Sequence, residues 1–127
     1  MPVASKAGSG EIERSQWASF FNEFSKRNQL RATRMEVFGD FGAQEEERNL
    51  PLNGISVEET GHDAPRIEIM LGGVSPDDDR HLTHTIRRAA RVFSKISAEG
   101  RDEALEIEDA DGVKTLLKFE SLPKLHQ

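Results

Sequence analysis

The stretch DRHLTHTI, residues 79–86, contains two of the four histidines of the chain, three residues apart. In a helix, His81 and His84 would lie on one face, where they could bind a metal ion, whereas in a strand they point to opposite faces. The threonines and the isoleucine of the stretch are β-branched and favour a strand. We therefore expect His84 to be partly buried, on the face that it shares with Leu82, and His81 to be more exposed.

A metal-dependent or acid–base enzyme is one alternative that this stretch leaves open. A metal site would need a third ligand and a fourth coordination position besides the two imidazoles. The acidic residues Asp78 and Asp79, just before the strand, are the nearest further ligands. A histidine pair without fixed supporting ligands is a weak signal, so we expect no metal and no cofactor. A metal site, if one existed, would use His81, His84, Asp78 and Asp79.

The same strand predicts a binding site of a different kind. His81, Thr83 and Thr85 share the face that should be open to solvent, and Arg87 and Arg88 follow directly. Guanidinium groups can bind an anion or an acidic partner, and hydroxyl and imidazole groups can add hydrogen bonds. These five residues are the candidate ligand-binding residues. The second histidine of the stretch is assigned to the core, and no residue is assigned a catalytic role.

The composition bounds the classes of function. The net charge of −6 argues against nucleic-acid binding, which depends on basic patches. The absence of cysteine excludes disulfides, thiolate zinc sites and cysteine nucleophiles, and it is compatible with the cytoplasm, where we expect this acidic protein to act. No apolar run approaches the roughly 20 residues of a membrane span, so we expect no membrane partner.

The chain length of 127 residues fits one domain with a sufficient core. Residues 1–10, MPVASKAGSG, are small and mostly polar, and we expect them to form a disordered tail. This leaves residues 11–127 as a single α+β domain.

One amphipathic helix is predicted near the N-terminus. Four aromatic residues recur at i, i+3, i+4 and i+7, namely Trp17, Phe20, Phe21 and Phe24. This spacing places all four on one helix face, which must be covered by other elements. Ser15 is the expected N-cap, and Asn28 is the expected left-handed residue at the end of the helix.

Seven or eight short strands should follow the helix. Alternation over 33–37 and 66–71 predicts two of them, and Pro51 with Gly54 predicts a bent or edge strand between them. The tight turns between strands imply antiparallel neighbours. The expected fold is therefore α+β, an N-terminal amphipathic helix packed on a curved, mainly antiparallel β-sheet or small barrel.

The best-defined hairpin lies at the end of the predicted sheet. Residues 103–108 and 114–119 flank a short turn in which Gly112 should adopt the left-handed conformation. The resulting register sets Leu105 opposite Leu117 and Glu108 opposite Lys114, whereas a register slipped by one residue would set Ile107 opposite Leu116. Residues 87–90, between two predicted strands, could form a helical turn.

Several segments together resemble a known family. They are Ser15-x-Trp17-x-x-Phe20-Phe21-x-x-Phe24-Ser25, residues 50–56 (LPLNGIS), residues 81–86 (HLTHTI), residues 103–108 (EALEIE) and residues 115–117 (TLL). In this order they are similar to an uncharacterised family of short bacterial proteins, a domain of unknown function. Residues 87–90 depart from the family pattern, which has a proline-containing loop there. The resemblance implies a bacterial origin and no particular activity.

These observations favour a non-enzymatic interaction or small-ligand-binding module, whose partner is an unknown protein or small molecule. The enzyme described above is one alternative. The other is a structural subunit of a homo-oligomer, in which edge strands or the aromatic helix face pair across an interface. The sequence is compatible with a monomer or a homodimer.

Overall fold

Eight β-strands and one α-helix make up the part of the chain that the computed structural model describes, residues 10–40, 42–73 and 80–120. In chain order they are β1 (Gly10–Glu11), α1 (Trp17–Asn28), β2 (Ala32–Gly39), β3 (Gly42–Glu58), β4 (Arg66–Gly72), β5 (His81–Ile86), β6 (Ala89–Ile96), β7 (Asp102–Asp109) and β8 (Lys114–Phe119). A 3₁₀ turn, Arg14–Gln16, leads into α1. Within these residues, no helix is long and apolar enough to cross a lipid bilayer.

The strands form one antiparallel sheet with the order β1-β6-β7-β8-β2-β3-β4-β5. The predicted α+β fold, a helix packed on an antiparallel sheet, is confirmed. The sheet does not close into a barrel, because β1 and β5 stand at its two ends. The seven strands that follow α1 agree with the predicted number, and β1 adds a short strand before the helix.

The long strand β3 changes partner part-way along its length. Residues 42–51 pair with β2, and residues 52–58 pair with β4. The register shifts between Leu52 and Gly54, next to Pro51, which has no N–H to donate to a neighbouring strand. The bent or edge strand predicted from Pro51 and Gly54 thus has a register shift at this point and lies inside the sheet, and its change of partner divides the sheet into two halves.

Curvature brings the two halves of the sheet face to face. His84 on β5 and Thr115 on β8 are four strands apart in the sheet order, yet the histidine Nε2 lies 3.2 Å from the threonine Oγ1. The two side chains can meet only because the sheet folds over on itself. The space between the halves is filled by apolar side chains, including Met35, Leu52, Ile67, Ile69, Leu71, Val92, Leu105, Ile107 and Leu117.

The aromatic face of α1 packs against this core. Trp17, Phe21 and Phe24 are buried, and Phe20 is half-buried beside them. The indole Nε1 of Trp17 donates a hydrogen bond to the backbone oxygen of Ile12 at 3.1 Å, so its polar atom is satisfied. The predicted amphipathic helix is confirmed.

Both predicted helix ends are wrong. Ser15 lies inside the 3₁₀ turn, and α1 begins after Gln16 without a side-chain cap. Asn28 is still helical, and the left-handed residue is Leu30, with a φ of 75°. The side chain of Asn28 is buried, and its Nδ2 donates to the backbone oxygen of Phe24 at 2.9 Å and to Asp102 at the start of β7.

A buried polar cluster joins the end of α1 to β7. The carboxylate of Asp102, only 6% exposed, accepts hydrogen bonds from Asn28 Nδ2 at 2.8 Å and from two nitrogens of Arg27 at 2.9 and 3.2 Å. Arg31 donates to Asn28 Oδ1 at 2.7 Å and to the backbone oxygen of Asp102 at 2.9 Å. The guanidinium of Arg31 also stacks on Phe119, 4.0 Å from the ring centroid.

The N-terminal tail and the β7–β8 hairpin were also predicted from the sequence. Gly10, predicted to end a disordered tail, instead pairs with Ser94 in the sheet; residues 1–9 lie outside the described part of the chain. The β7–β8 hairpin has the predicted register, with Leu105 opposite Leu117 and Glu108 opposite Lys114. Its Gly112 is left-handed as predicted, with a φ of 86°.

The first prediction concerns the strained backbone of Leu30, whose side chain is 62% exposed. Leu30→Gly should be more stable than Leu30→Ala by about 1 kcal/mol, because at positive φ a Cβ atom crowds the backbone and glycine has none. Urea unfolding measures the difference. The matched pair at the exposed helical residue Asn22 should show the opposite order by a similar amount. Equal stabilities of the two Leu30 variants would contradict the prediction.

The second prediction concerns Asp102. Burial alone would raise its pKa, but hydrogen bonds from Arg27 and Asn28 and the charges of Arg27 and Arg31 outweigh burial and hold the pKa below its usual value of 3.8. Since the folded-state pKa is the lower one, the charged carboxylate stabilises the fold above pH 3.8, and this contribution disappears as the pH falls through the folded-state pKa.

Asp102→Asn should therefore lower the free energy of unfolding by about 1–3 kcal/mol at pH 7. The difference from wild type should shrink at pH 3. Urea unfolding at the two pH values measures both effects, with Glu103→Gln, at an exposed neighbour, as the control. A difference that is the same at both pH values would mean that the charge of Asp102 does not stabilise the fold.

Candidate functional site

Two clefts lie beside β5, one towards each end of the strand. The first has a volume of about 260 Å³, and its polar lining consists of His84, Thr85, Arg87, Arg88, Asp109 and Thr115. We call it the arginine cleft. The second, of about 280 Å³, is lined in part by His81, Thr83, Asn53 and Gly73, and we call it the glycine cleft.

The five candidate ligand-binding residues are divided between these clefts. Thr85, Arg87 and Arg88 line the arginine cleft, whereas His81 and Thr83 line the glycine cleft. The structure therefore does not bring all five residues into one cleft. The arginine cleft instead gains His84, which the sequence analysis assigned to the core and which is half-buried.

Backbone hydrogen bonds hold the corner that carries the two arginines. Arg88 adopts the left-handed conformation, with a φ of 51°. Its N–H donates to the backbone oxygen of Asp63, and its own oxygen accepts from the N–H of Ala110, both at 2.9 Å. The next residue, Ala89, donates to the oxygen of Pro65 at 2.9 Å. Residues 87 and 88 thus form a tight bend, and residues 89 and 90 begin β6, so the helical turn predicted for 87–90 is wrong.

The two guanidinium groups differ in how firmly they are paired. Arg88 Nη2 donates to Asp111 Oδ2 at 2.7 Å, and this hydrogen bond raises the pKa of Arg88. Asp63 lies between the two arginines, with carboxylate oxygens 3.9 Å from each Nε. Arg87 has only this long contact among the described residues, and its side chain is 64% exposed. Arg87 is therefore the arginine that is more available to a ligand.

The carboxylate that lines the cleft is held within its own turn. Asp109 Oδ1 accepts hydrogen bonds from the backbone N–H groups of Asp111, at 2.8 Å, and Val113, at 3.0 Å. This oxygen stabilises the β7–β8 turn, in the way that aspartate side chains commonly do. Because this turn also places Asp111 against Arg88, the hairpin helps to orient the guanidinium group of Arg88.

The inner wall of the arginine cleft is the contact between His84 and Thr115. Thr115 is buried, and His84 is half-buried, as expected for a strand that points this histidine inward. The contact satisfies a buried hydroxyl group. A hydroxyl and an imidazole at hydrogen-bond distance are polar groups that a ligand in the cleft could also reach.

The alternative of a metal site receives no support from the described residues. His81 and His84 alternate along β5, and they line different clefts. In the described ranges, no group of three or more histidine, cysteine, aspartate or glutamate residues could hold a metal ion. Asp78 and Asp79 lie outside the described residues.

Two larger clefts lie elsewhere on the described surface, and their lining residues do not form a comparable set of hydrogen-bond donors. One of about 410 Å³ lies between two hairpin tips and is lined by Asp40 and Asp111 among others. One of about 360 Å³ lies beside the Asp102 cluster, where Arg31 and Arg101 face three glutamates, Glu99, Glu103 and Glu120. Charges in that cleft can satisfy one another, so it presents no distinct ligand chemistry.

Sequence reasoning missed the residues from distant segments that line the arginine cleft or contact its arginines. Asp63 is in the turn before β4, and Asp111 and Thr115 belong to the β7–β8 hairpin. The hairpin itself was predicted, but its position beside Arg88 depends on sheet curvature, which has no local sequence signal. The Asp-x-Asp-Gly pattern at residues 109–112 was the one local indication of an ordered turn.

The third prediction tests the inner wall of the arginine cleft. Thr115→Val keeps the shape of the buried side chain but removes its hydroxyl, so the free energy of unfolding should fall by about 1 kcal/mol. Thr83→Val, on the exposed face of β5, should change stability by less than about 0.5 kcal/mol. Urea unfolding measures both variants. Equal effects would mean that the hydrogen bond with His84 contributes nothing.

Comparison with known proteins supports the resemblance described above. No curated protein and no solved structure matches the chain. The model of DUF5335, a family of unknown function, matches residues 9–127. Because this match covers nearly the whole chain, the protein belongs to the DUF5335 family.

Proposed function

We propose that the protein is a non-enzymatic binding module that holds a small anionic ligand in the arginine cleft. The observation that supports this proposal is the convergence of two guanidinium groups, two hydroxyl groups and an imidazole on one cleft. Hydrogen bonds between guanidinium groups and carboxylates or phosphates are among the strongest in proteins. The class of ligand is therefore a small carboxylate or phosphate.

Arg87 is the expected primary contact with the anion. Its side chain is mostly exposed, and its contact with Asp63, at 3.9 Å, is too long for a hydrogen bond. An anion that approaches Arg87 could form hydrogen bonds without first breaking a strong ion pair. Arg88 is oriented by Asp111, so it would present its remaining N–H groups in a fixed direction.

The volume and the apolar lining of the arginine cleft limit the size and polarity of the part of the ligand beyond its anionic group. Val37, Ile86 and Val113 supply the apolar part of the lining. A volume of about 260 Å³ lies slightly below the usual range for ligand pockets, roughly 300–1,000 Å³. The cleft therefore suits a small molecule that has one anionic group and a short apolar body.

Neighbouring carboxylates limit the expected affinity. Asp63 and Asp111 already neutralise much of the charge of the two arginines. A bound anion must share these guanidinium groups with them, so binding should be weak and should weaken further as salt increases. Weak binding favours a ligand that is abundant in the cell.

We propose that the protein acts in the bacterial cytoplasm, with which its lack of cysteine is compatible.

The fourth prediction is that inorganic phosphate or butyrate binds at the arginine cleft with a dissociation constant in the millimolar range. Titration of ¹⁵N-labelled protein should shift the amide signals of residues 84–88 and of Ala110. Arg87→Gln should weaken binding about tenfold, which is the loss expected for one charge-assisted hydrogen bond. The two anions distinguish a phosphate ligand from a carboxylate ligand.

Arg91→Gln is the matched control, because Arg91 is also exposed and has a contact of 3.9 Å with a carboxylate, that of Glu108. The affinity of the Arg91→Gln variant for either anion should remain within about twofold of that of the wild-type protein. If both variants lose affinity equally, the anions respond to overall charge and not to the cleft. If neither anion shifts the amides of the cleft, the proposal of an anion site is wrong.

A further inference from the structure

The outer edge of β5 has no partner among the described residues. β5 pairs with β4 on one side, in a register that runs without interruption from Ile67 opposite Ile86 to Gly72 opposite His81. As the last strand in the sheet order, it has no neighbouring strand on its other side within residues 10–40, 42–73 and 80–120. An unpaired edge presents a row of backbone donors and acceptors that can pair with another chain.

The hydrogen-bond pattern shows which residues form this free edge. The N–H of Gly73 donates to the backbone oxygen of Arg80 at 3.0 Å, so these two residues form a hydrogen-bonded pair. In an antiparallel ladder such pairs alternate with pairs that do not bond to each other. Residues 82, 84 and 86 therefore bond to β4, and the N–H and C=O groups of His81, Thr83 and Thr85 point outward.

No described backbone group fills these positions. The hydrogen bonds outside the strand ladders involve none of His81, Thr83 and Thr85 in the ranges that the structure covers. The edge also lacks the usual features that prevent pairing, because β5 contains no proline, no lysine and no bulge.

The opposite end of the sheet is different. There, Gly10 pairs with Ser94 and Glu11 with Phe93, and the N–H of Ile12 donates to Val92 at 2.8 Å. The N-terminal segment thus covers part of the edge of β6. Of the two ends of the described sheet, β5 is the one at which a full-length strand has no pairing segment along its outer edge.

We infer that the outer edge of β5 pairs with β5 of a second copy of this chain, antiparallel, across a two-fold axis at Thr83. In this register Thr83 lies opposite Thr83 of the second copy, and His81 lies opposite Thr85. The three outward residues of each copy then form about six backbone hydrogen bonds.

The charges of the residues before and after β5 in the sequence favour a second copy of this chain as the partner. Three aspartates, residues 77–79, precede the strand in the sequence, and Arg87 and Arg88 follow it. Antiparallel pairing of two identical strands sets the start of one, which residues 77–80 with a net charge of −2 precede in the sequence (three aspartates and Arg80), against the end of the other, which the two arginines follow. The sequence between these ends, HLTHTI, contains no aspartate, glutamate, lysine or arginine, so no carboxylates or ammonium groups oppose each other along the paired strands.

Thr83 allows a direct test, because it should face itself across the axis. Thr83→Lys and Thr83→Glu each place like charges opposite each other in the dimer, while in the monomer the side chain is exposed. Sedimentation velocity over a range of concentrations should show a dimer for wild type. Each charged variant alone should dimerise at least tenfold more weakly, and an equimolar mixture of the two should recover the affinity of wild type.

Thr83→Val is the matched control, because it keeps the backbone and the β-branched shape, and it should dimerise like wild type. Circular dichroism of each variant establishes that it remains folded. Recovery in the mixture would support the register, since it requires the two side chains to meet. A wild-type protein that stays monomeric at about 1 mM, or charged variants that dimerise as well as wild type, would overturn the inference.

Discussion

The tight corner at residues 87 and 88 is the constraint on which the described site depends. The chain passes there from β5, at one end of the sheet, to β6, next to the other end, in only two residues. Arg88 can hold its left-handed backbone because Asp63, on one side, and Ala110, on the other, bond to its peptide groups. The same hydrogen bonds bring the turn before β4 and the β7–β8 hairpin together around the two arginines.

Two polar clusters among the described residues differ in how completely their groups are paired. Around Asp102 each buried group has a partner, and such a fully satisfied network stabilises one arrangement of α1 and β7. At the arginine cleft, by contrast, Arg87 keeps a long contact and a largely exposed side chain. Residual hydrogen-bonding capacity at a surface cleft is what a ligand can use, so the second cluster is the better candidate for binding.

Local sequence signals were sufficient for most of the secondary structure. The alternation of HLTHTI predicted β5 and the inward direction of His84, and Gly112 predicted the last hairpin and its register. The signals failed where a partner was distant in the chain. Asn28 is buried against Asp102, 74 residues later, and the candidate ligand-binding residues fall into two sets because β5 has a cleft near each end.

The two proposals place different demands on the same strand. Anion binding uses the side chains at the end of β5, whereas pairing with a second copy uses the backbone groups of its outer edge. The arginines are common to both, because the acidic end of the second copy would approach them. An anion held by Arg87 would then compete with that acidic end for the same guanidinium group. Binding and dimerisation would oppose each other, and by thermodynamic linkage each would weaken the other by the same factor.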